Sequence, residues 1–280
     1  MLERRYYWRK LISGLMLGLS GGAAILCIIV LALILGYTLI NGMSFMNLDF
    51  LTQPAKPVGE MGGGMRDDIF GTLILVALAC VIALPVGMMT GIFLSEFGSP
   101  RVASAVRFAA DILAGVPSIV VGVFAYALLV RPMHSYSALS AGVALAIIMI
   151  PVVARTAEES LRMVPNSQRE AALALGVSRW RSIMGVVVPG ALTGIVTGVM
   201  LAIARIAGET APLMFTALGN AFGVQGLTQP IGALPLQIYR YALSPYLDWQ
   251  QQAWAAAFLL VVLVLGINVI VRWVSNRKSM

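Results

Sequence analysis

The sequence predicts an all-α, polytopic membrane protein with six transmembrane helices. Three observations carry that prediction. Of its 280 residues, 59% are hydrophobic and only 11% are charged. The apolar residues gather in runs of about 20, the length a helix needs to cross a hydrocarbon core of roughly 30 Å. The basic residues sit mostly between alternate runs, on one side. A β-barrel would show short alternating strands instead. No polar stretch is long enough to bury a core of its own, so residues 1–280 are expected to form a single transmembrane domain.

The expected spans are 11–40, 69–94, 105–130, 138–153, 183–218 and 253–271. The first is too long for the apolar core of a signal peptide, and no convincing small-residue cleavage site follows it. It carries Gly14, Gly18 and Gly22, a spacing that lets helices approach closely. Residues 41–68 hold Pro54, Pro57 and Gly62, Gly63 and Gly64, and are too polar and broken to span. Those glycines lack the strand-to-helix context of a phosphate cradle, and no lysine follows them. Cys27 and Cys80 lie inside spans and read as small core residues. His134 stands alone in a short loop, so no metal site is expected. Residues 219–252 combine Pro230, Pro235 and Pro245 with Tyr239, Tyr241, Tyr246 and Trp249. That composition fits an interfacial aromatic belt and an outer docking surface equally well.

Charge sets the expected orientation. Arg4, Arg5, Arg9 and Lys10 precede span one, and Arg101 and Arg107 lie around the inner end of span three. Arg155, Arg162, Arg169, Arg179 and Arg181 separate spans four and five, and Arg272, Arg277 and Lys278 end the chain. The opposite side has Lys56, Arg66, Arg131 and Arg240. The positive-inside rule then places both termini in the cytoplasm. The net charge of +7 is read as orientation and anionic-lipid contact rather than nucleic-acid binding.

Span five carries Arg205 and Glu209 in the middle of an apolar stretch. An arginine at a helix centre costs about 3 kcal/mol on insertion scales, so such residues usually face protein or a wet cavity. At about 100° per residue, Gly194, Gly198, Ala202, Arg205 and Glu209 fall in one sector. Two readings follow. Arg205 and Glu209, one turn apart, form an internal ion pair. Alternatively, the Arg205 guanidinium meets an oxyanion, which its planar fork suits better than a lysine would. Arg107 and Asp111 in span three are read as a structural pair of the same kind.

The loop of residues 155–182 starts a short helix at Pro165–Ser167 and stops it at Gly176. Ala171, Ala172 and Leu175 make one small apolar face, flanked by Arg169 and Glu170. Spacing alone fits a docking helix and a membrane-surface helix equally. The order Glu170, Ala171, Ala172, then Gly176 and Pro189, resembles the coupling loop of ABC importer permeases. In those proteins it docks into a cytoplasmic ATPase.

Further blocks are more specific. Residues 204–213, with Arg205, Gly208, Glu209, Thr210, Ala211 and Pro212, are similar to the signature of the PstA family of phosphate-importer permeases. Residues 114–120, 155–165 and 244–251 resemble the same family, and Thr156–Ala157 is a mild departure from it. The resemblance implies a type I ABC importer (MetI-like) permease fold, with a peripheral helix at about 11–40 and a core at about 69–271. It implies a bacterial inner-membrane location and phosphate as the substrate. It implies a heterodimer with a PstC-type permease, two PstB-type ATPases inside and a PstS-type phosphate-binding protein outside. The substrate pathway is expected at Arg205, Glu209, Arg155, Thr210 and Ser118. ATPase coupling is expected at Arg169, Glu170, Ala171, Ala172, Leu175 and Gly176. No P-loop is present, because none of Lys10, Lys56 and Lys278 follows a glycine-rich run. No catalytic residue and no cofactor are therefore expected in the chain, ATP and Mg being bound by the partner ATPase. The rival readings are a permease for molybdate or sulfate, and a membrane scaffold in phosphate sensing.

Overall fold

The computed structural model of the chain describes residues 2–57, 60, 62–220 and 223–278, the side chains of residues 2–4, 272 and 274–278 excepted. The basic side chains of Arg4, Arg272, Arg277 and Lys278, on which part of the expected orientation rests, lie outside the described residues. In chain order the helices are α1 (Leu2–Met43), α2 (Leu48–Thr52), α3 (Arg66–Phe97) and α4 (Pro100–Gly115). Then come α5 (Ser118–Met133), α6 (Ala138–Arg162), α7 (Asn166–Ala174) and α8 (Arg179–Gly190). Last are α9 (Leu192–Ala207), α10 (Ala211–Thr216), α11 (Leu234–Ala242) and α12 (Leu247–Lys278). Among the described residues the only β pairing is a single bridge between Leu218 and Ile231.

Four unbroken helices are long and apolar enough to cross a membrane: α1, α3, α6 and most of α12. Two bent pairs complete a possible six, α4 with α5 at 99° and α8 with α9 at 69°. The chain is therefore a multi-pass helical membrane protein. The expected third span is not straight. Val116 and Pro117 are both extended, and a proline ring at 117 cannot continue the helix from Gly115. The expected fifth span of 183–218 is three pieces, bent at Ala191 and broken again at Gly208–Thr210. Two breaks account for a length that no single crossing needs.

The core is built on α3 and α6. A Cβ on Gly87 would fall 2.8 Å from the Val153 side chain, and one on Gly91 2.6 Å from Ala157. Small residues on α3 thus let the two backbones close. Leu75, Ala79, Ala83, Leu145, Met149 and Val153 fill the seam and are buried. The third member, α9, lies on α6 through Gly194 and Gly198. A Cβ there would sit 2.5 Å from the Ser160 hydroxyl and 2.4 Å from that of Thr156. These pairs fix an antiparallel register in which Ala202 stands level with Val152 and Arg205 with Met149. Against this core, α5 meets α10 where Gly122 faces Pro212.

The expected fourth span, 138–153, is too short. Helix α6 runs on to Arg162 and carries Arg155, Glu158 and Glu159 with it. Arg155, Glu158 and Arg162 are matched across and along the helix and Glu159 is exposed, so hydropathy fell while the helix continued. By contrast, among the described residues α1 packs on the bundle near its end. Gly42 abuts Trp254 and Phe258, and Tyr37 meets the Trp254 ring edge-on at 5.1 Å. Gly14, Gly18 and Gly22 have nothing within 4 Å, so their close-approach spacing is unused within this chain.

The aromatic segment divides. Tyr241 is 3% exposed and stacks on Trp249 at 4.4 Å, so both serve the core under α11 and α12. Tyr239 and Tyr246 remain exposed.

Candidate functional site

The bundle end carrying residues 163–178 is here termed the loop face, and the opposite end the far face. Near the loop face, Glu158 organises three arginines. It sits on the buried stripe of α6 with Ala154 and Leu161, and its side chain is 2% exposed. Arg107 of α4 donates from Nε to Oε1 at 2.7 Å, and Arg162 lies 3.1 Å from the same oxygen. Arg155 donates to Oε2 at 3.2 Å. Arg155 Nε is also 3.2 Å from Asp111 of α4. Three cations thus share two carboxylates, and the cluster keeps one net positive charge.

This corrects the expected Arg107–Asp111 pair. The two residues lie one turn apart on α4, and each turns to an opposite charge on α6 rather than to the other. Burial favours the cross-helix arrangement, because Glu158 would otherwise be a carboxylate held from water without a partner. Sequence reasoning passed over Glu158. Its spacing from Arg155 and Arg162, three and four residues, was the available signal.

The second expected pair, Arg205 with Glu209, is absent. Helix α9 stops at Ala207 with Gly208 as its cap, so Glu209 lies beyond the helix and the one-turn spacing does not hold. Among the described residues, neither side chain makes an ion pair or hydrogen bond. Nor does Arg205 share the packed face. Ala202 and Ile206 are buried there, and Arg205 is exposed. It stands level with the twelfth of the 25 residues of α6, so its backbone lies near the middle of the bundle. Measured along α6, it is six residues, about 9 Å, farther from the loop face than Arg155.

Thr210 and Ser118 are both half-buried. Ser118 opens α5 directly after the Val116–Pro117 bend. The Thr210 hydroxyl donates to the Pro235 carbonyl at 3.5 Å, just ahead of α10. Since α5 packs on α10, the structure brings these two hydroxyl-bearing turns onto neighbouring elements.

At the loop face, α7 has the expected extent. Its end is a Schellman turn: Val177 N–H donates to the Ala172 carbonyl, Gly176 N–H to that of Leu173, and Gly176 has φ +78°. The expected docking face is divided differently. Ala172 is 7% exposed and packs inward, while Ala171, Glu170 and Leu175 face out, Leu175 with 84% exposure. Arg169 turns inward as well. It reaches Glu96 Oε1 at 2.9 Å and the carbonyls of Leu161 and Val164. An i, i+1, i+4 set need not share one face of a short helix that itself packs on a bundle.

The family model for binding-protein-dependent transport system inner membrane components matches residues 83–280. The chain belongs to that permease family. Within it, the chain is 41% identical to the phosphate transport system permease protein PstA of Yersinia pestis, over 99% of this chain and 94% of that protein. It is 42% identical to the PstA of Haemophilus influenzae, over 98% of each. It thus stands among the PstA permeases. The fold is that of solved ABC transporters. The permease matches the MetNI methionine transporter in an inward-facing conformation with TM-score 0.57 and 23% identity, over 76% and 93% of the two chains. It matches an importer of the polysaccharide alginate with TM-score 0.57 and 17% identity, over 91% and 94%. Family membership implies a substrate-binding protein and a partner ATPase for this permease.

Proposed function

We infer that this chain is a permease subunit of an ATP-driven inorganic phosphate importer and forms half of its translocation pathway. Relatives named for phosphate transport, alike over nearly the whole chain, favour phosphate over molybdate or sulfate and favour transport over a scaffold role. The single structural observation that supports the pathway is Arg205. A guanidinium level with the middle of a membrane bundle, exposed and without a carboxylate, is costly unless water or an anion meets it. In the heterodimer its exposed side would face the shared passage, where its fork offers phosphate a bidentate contact. Glu209, past the helix end, sets the local charge without holding the arginine. Arg155, already shared between Glu158 and Asp111, supplies a second and weaker anion site about 9 Å nearer the loop face. Ser118 offers a hydroxyl at the Val116–Pro117 bend, and Thr210, whose hydroxyl donates to the Pro235 carbonyl, stands at the Gly208–Thr210 break.

The remaining assignments follow the same reading. Both termini and the loop face are cytoplasmic. The chain pairs with a PstC-type permease; of two PstB-type ATPases, which bind ATP and Mg, one docks on Glu170 and Ala171 of α7 and on Leu175 at its end. A PstS-type protein delivers phosphate at the far face. The chain carries no chemistry of its own. Alternating access then arises from rocking of the two permease halves as the ATPases close.

Phosphate uptake by the reconstituted complex tests this. Arg205→Ala is expected to abolish uptake with assembly retained. Arg205→Lys is expected to keep little, since the charge remains but the fork is lost. Full uptake with Arg205→Ala would remove the arginine from the pathway.

A further inference from the structure

We propose that Glu96 is a positioning residue for energy coupling: through Arg169 it joins helix α7 to α3, so that movement imposed on α7 is passed to the core. The proposal rests on reading the chain as an ATPase-driven permease. Helix α7 has nine residues, of which only Ala172 is buried, so apolar packing alone holds it weakly. Arg169 supplies the hold. Three of its acceptors, Leu161, Val164 and Asn166, lie within eight residues in sequence. The fourth, Glu96, is 73 residues away and is the one that ties α7 to another part of the fold. The pair is well shielded, with side-chain exposures of 18% for Arg169 and 8% for Glu96.

The other limb of the loop converges on the same place. Beyond the Gly176 turn, Arg179 donates to the Glu96 carbonyl and lies 4.9 Å over the Phe97 ring. Trp180 faces Phe97 at 6.5 Å. Ser95 steadies the Glu96 carboxylate with a hydroxyl at 3.0 Å. Both limbs therefore grip residues Phe93–Phe97, a π-helical turn that ends α3. Such turns recur at functional sites because they carry one extra residue per turn and adjust locally.

From there α3 reaches the far face as one continuous helix, with Pro85 inside it. It is closed onto α6 at Gly87 and Gly91, and at its start Gly71 abuts the Gly232 carbonyl. Thr72, buried, accepts the Leu234 N–H at 2.8 Å. A push on α7 thus enters α3 through the Arg169–Glu96 pair, beside the Arg179 and Trp180 contacts to the same turn, and α3 ends against the segment before α11. The Glu96 carboxylate is 8% exposed and pairs with Arg169, so its role in coupling is carried through that arginine.

The test uses the full complex with its ATPase and binding protein, reconstituted in vesicles. Glu96→Gln and Glu96→Asp are compared with wild type for ATPase co-purified per permease and for phosphate moved per ATP hydrolysed. The expected result is normal co-purification with phosphate per ATP lowered roughly five-fold or more for Glu96→Gln, a coupling-sized change. Glu96→Asp, which keeps the charge, is expected to recover part of it. A wild-type ratio in assembled Glu96→Gln complex overturns the proposal. So does a transport loss that only tracks the amount of complex assembled. Should Glu96→Gln fail to assemble, the same ratio is read on Arg169→Gln, which breaks the pair from its other side, and a wild-type ratio there overturns the proposal. Wild-type vesicles that hydrolyse ATP without moving phosphate would count against the phosphate reading instead. The joint is then read from stimulation of ATP hydrolysis by the binding protein.

Discussion

Glutamine in place of Glu158 removes one negative charge from among three guanidinium groups and leaves the shape nearly intact. The three contacts do not weigh equally. Arg162 is 54% exposed, so its pair is a surface pair worth about 0–1 kcal/mol. Arg155 keeps Asp111. Arg107 is 25% exposed and loses the carboxylate it holds at 2.7 Å. Breaking one side of a buried pair costs about 3–5 kcal/mol, and the partial exposure of Arg107 places this case at about 3. For a chain of this size that corresponds to a fall of about 6–12 °C in apparent melting temperature. The assay is thermal unfolding of the purified complex in one detergent, with Arg162→Ala and Asp111→Asn beside it. Glu158→Gln is expected to fall most, and the other two by about 1 kcal/mol or less. Replacing Arg107 and Glu158 together by leucine should recover most of the loss, since apolar substitutes spare both charges their desolvation. Equal melting of Glu158→Gln and Arg162→Ala would refute the assignment of Arg107 as the dominant partner. A double variant no better than the single would refute the charge argument itself.

For orientation, single cysteines replace Glu60 and Gln168 after Cys27 and Cys80 are removed. Position 60 should label from outside and position 168 only from inside, and the reverse pattern ends the topology. For the docking helix, Leu175→Asp should leave abundance normal and lose the ATPase, because Leu175 points away from the bundle. Ala172→Arg should instead lower abundance, because Ala172 is buried; both are read by co-purification against membrane level. Gly176→Ala should cost about 1–2 kcal/mol from its left-handed backbone, seen as a lower melting temperature of the complex.

The sequence made the helical membrane class, the extent of α7 and its glycine stop legible, because length, composition and capping are local properties. The breaks were legible only in part. Pro117 and the excess length of residues 183–218 pointed to them, but neither gives an angle. The charged residues were read least well. Pairing along one helix suggested Arg107 with Asp111 and Arg205 with Glu209, whereas packing chose partners on another helix for the first and a cap at Gly208 undid the second. Arg169 reads as a surface contact from its position beside Glu170. Only the fold shows that the end of α3 lies within its reach. Side-chain direction on a short helix depends on what that helix rests against, which no period in the sequence records.

The register between α6 and α9 has a further mechanical meaning. Gly194 and Gly198 fit against Ser160 and Thr156 with less room than one methyl group needs. One helical turn of sliding toward the loop face would bring Ala202, which has that methyl, opposite Thr156, and the helices would have to separate. One turn the other way brings Gly194 opposite Thr156, where the fit survives. At this contact a one-turn slide toward the loop face therefore costs more than one away from it. The backbone is not held by this seam at its ends, the bend at Ala191 and the break at Gly208, which are the places where α9 is free of that steric limit.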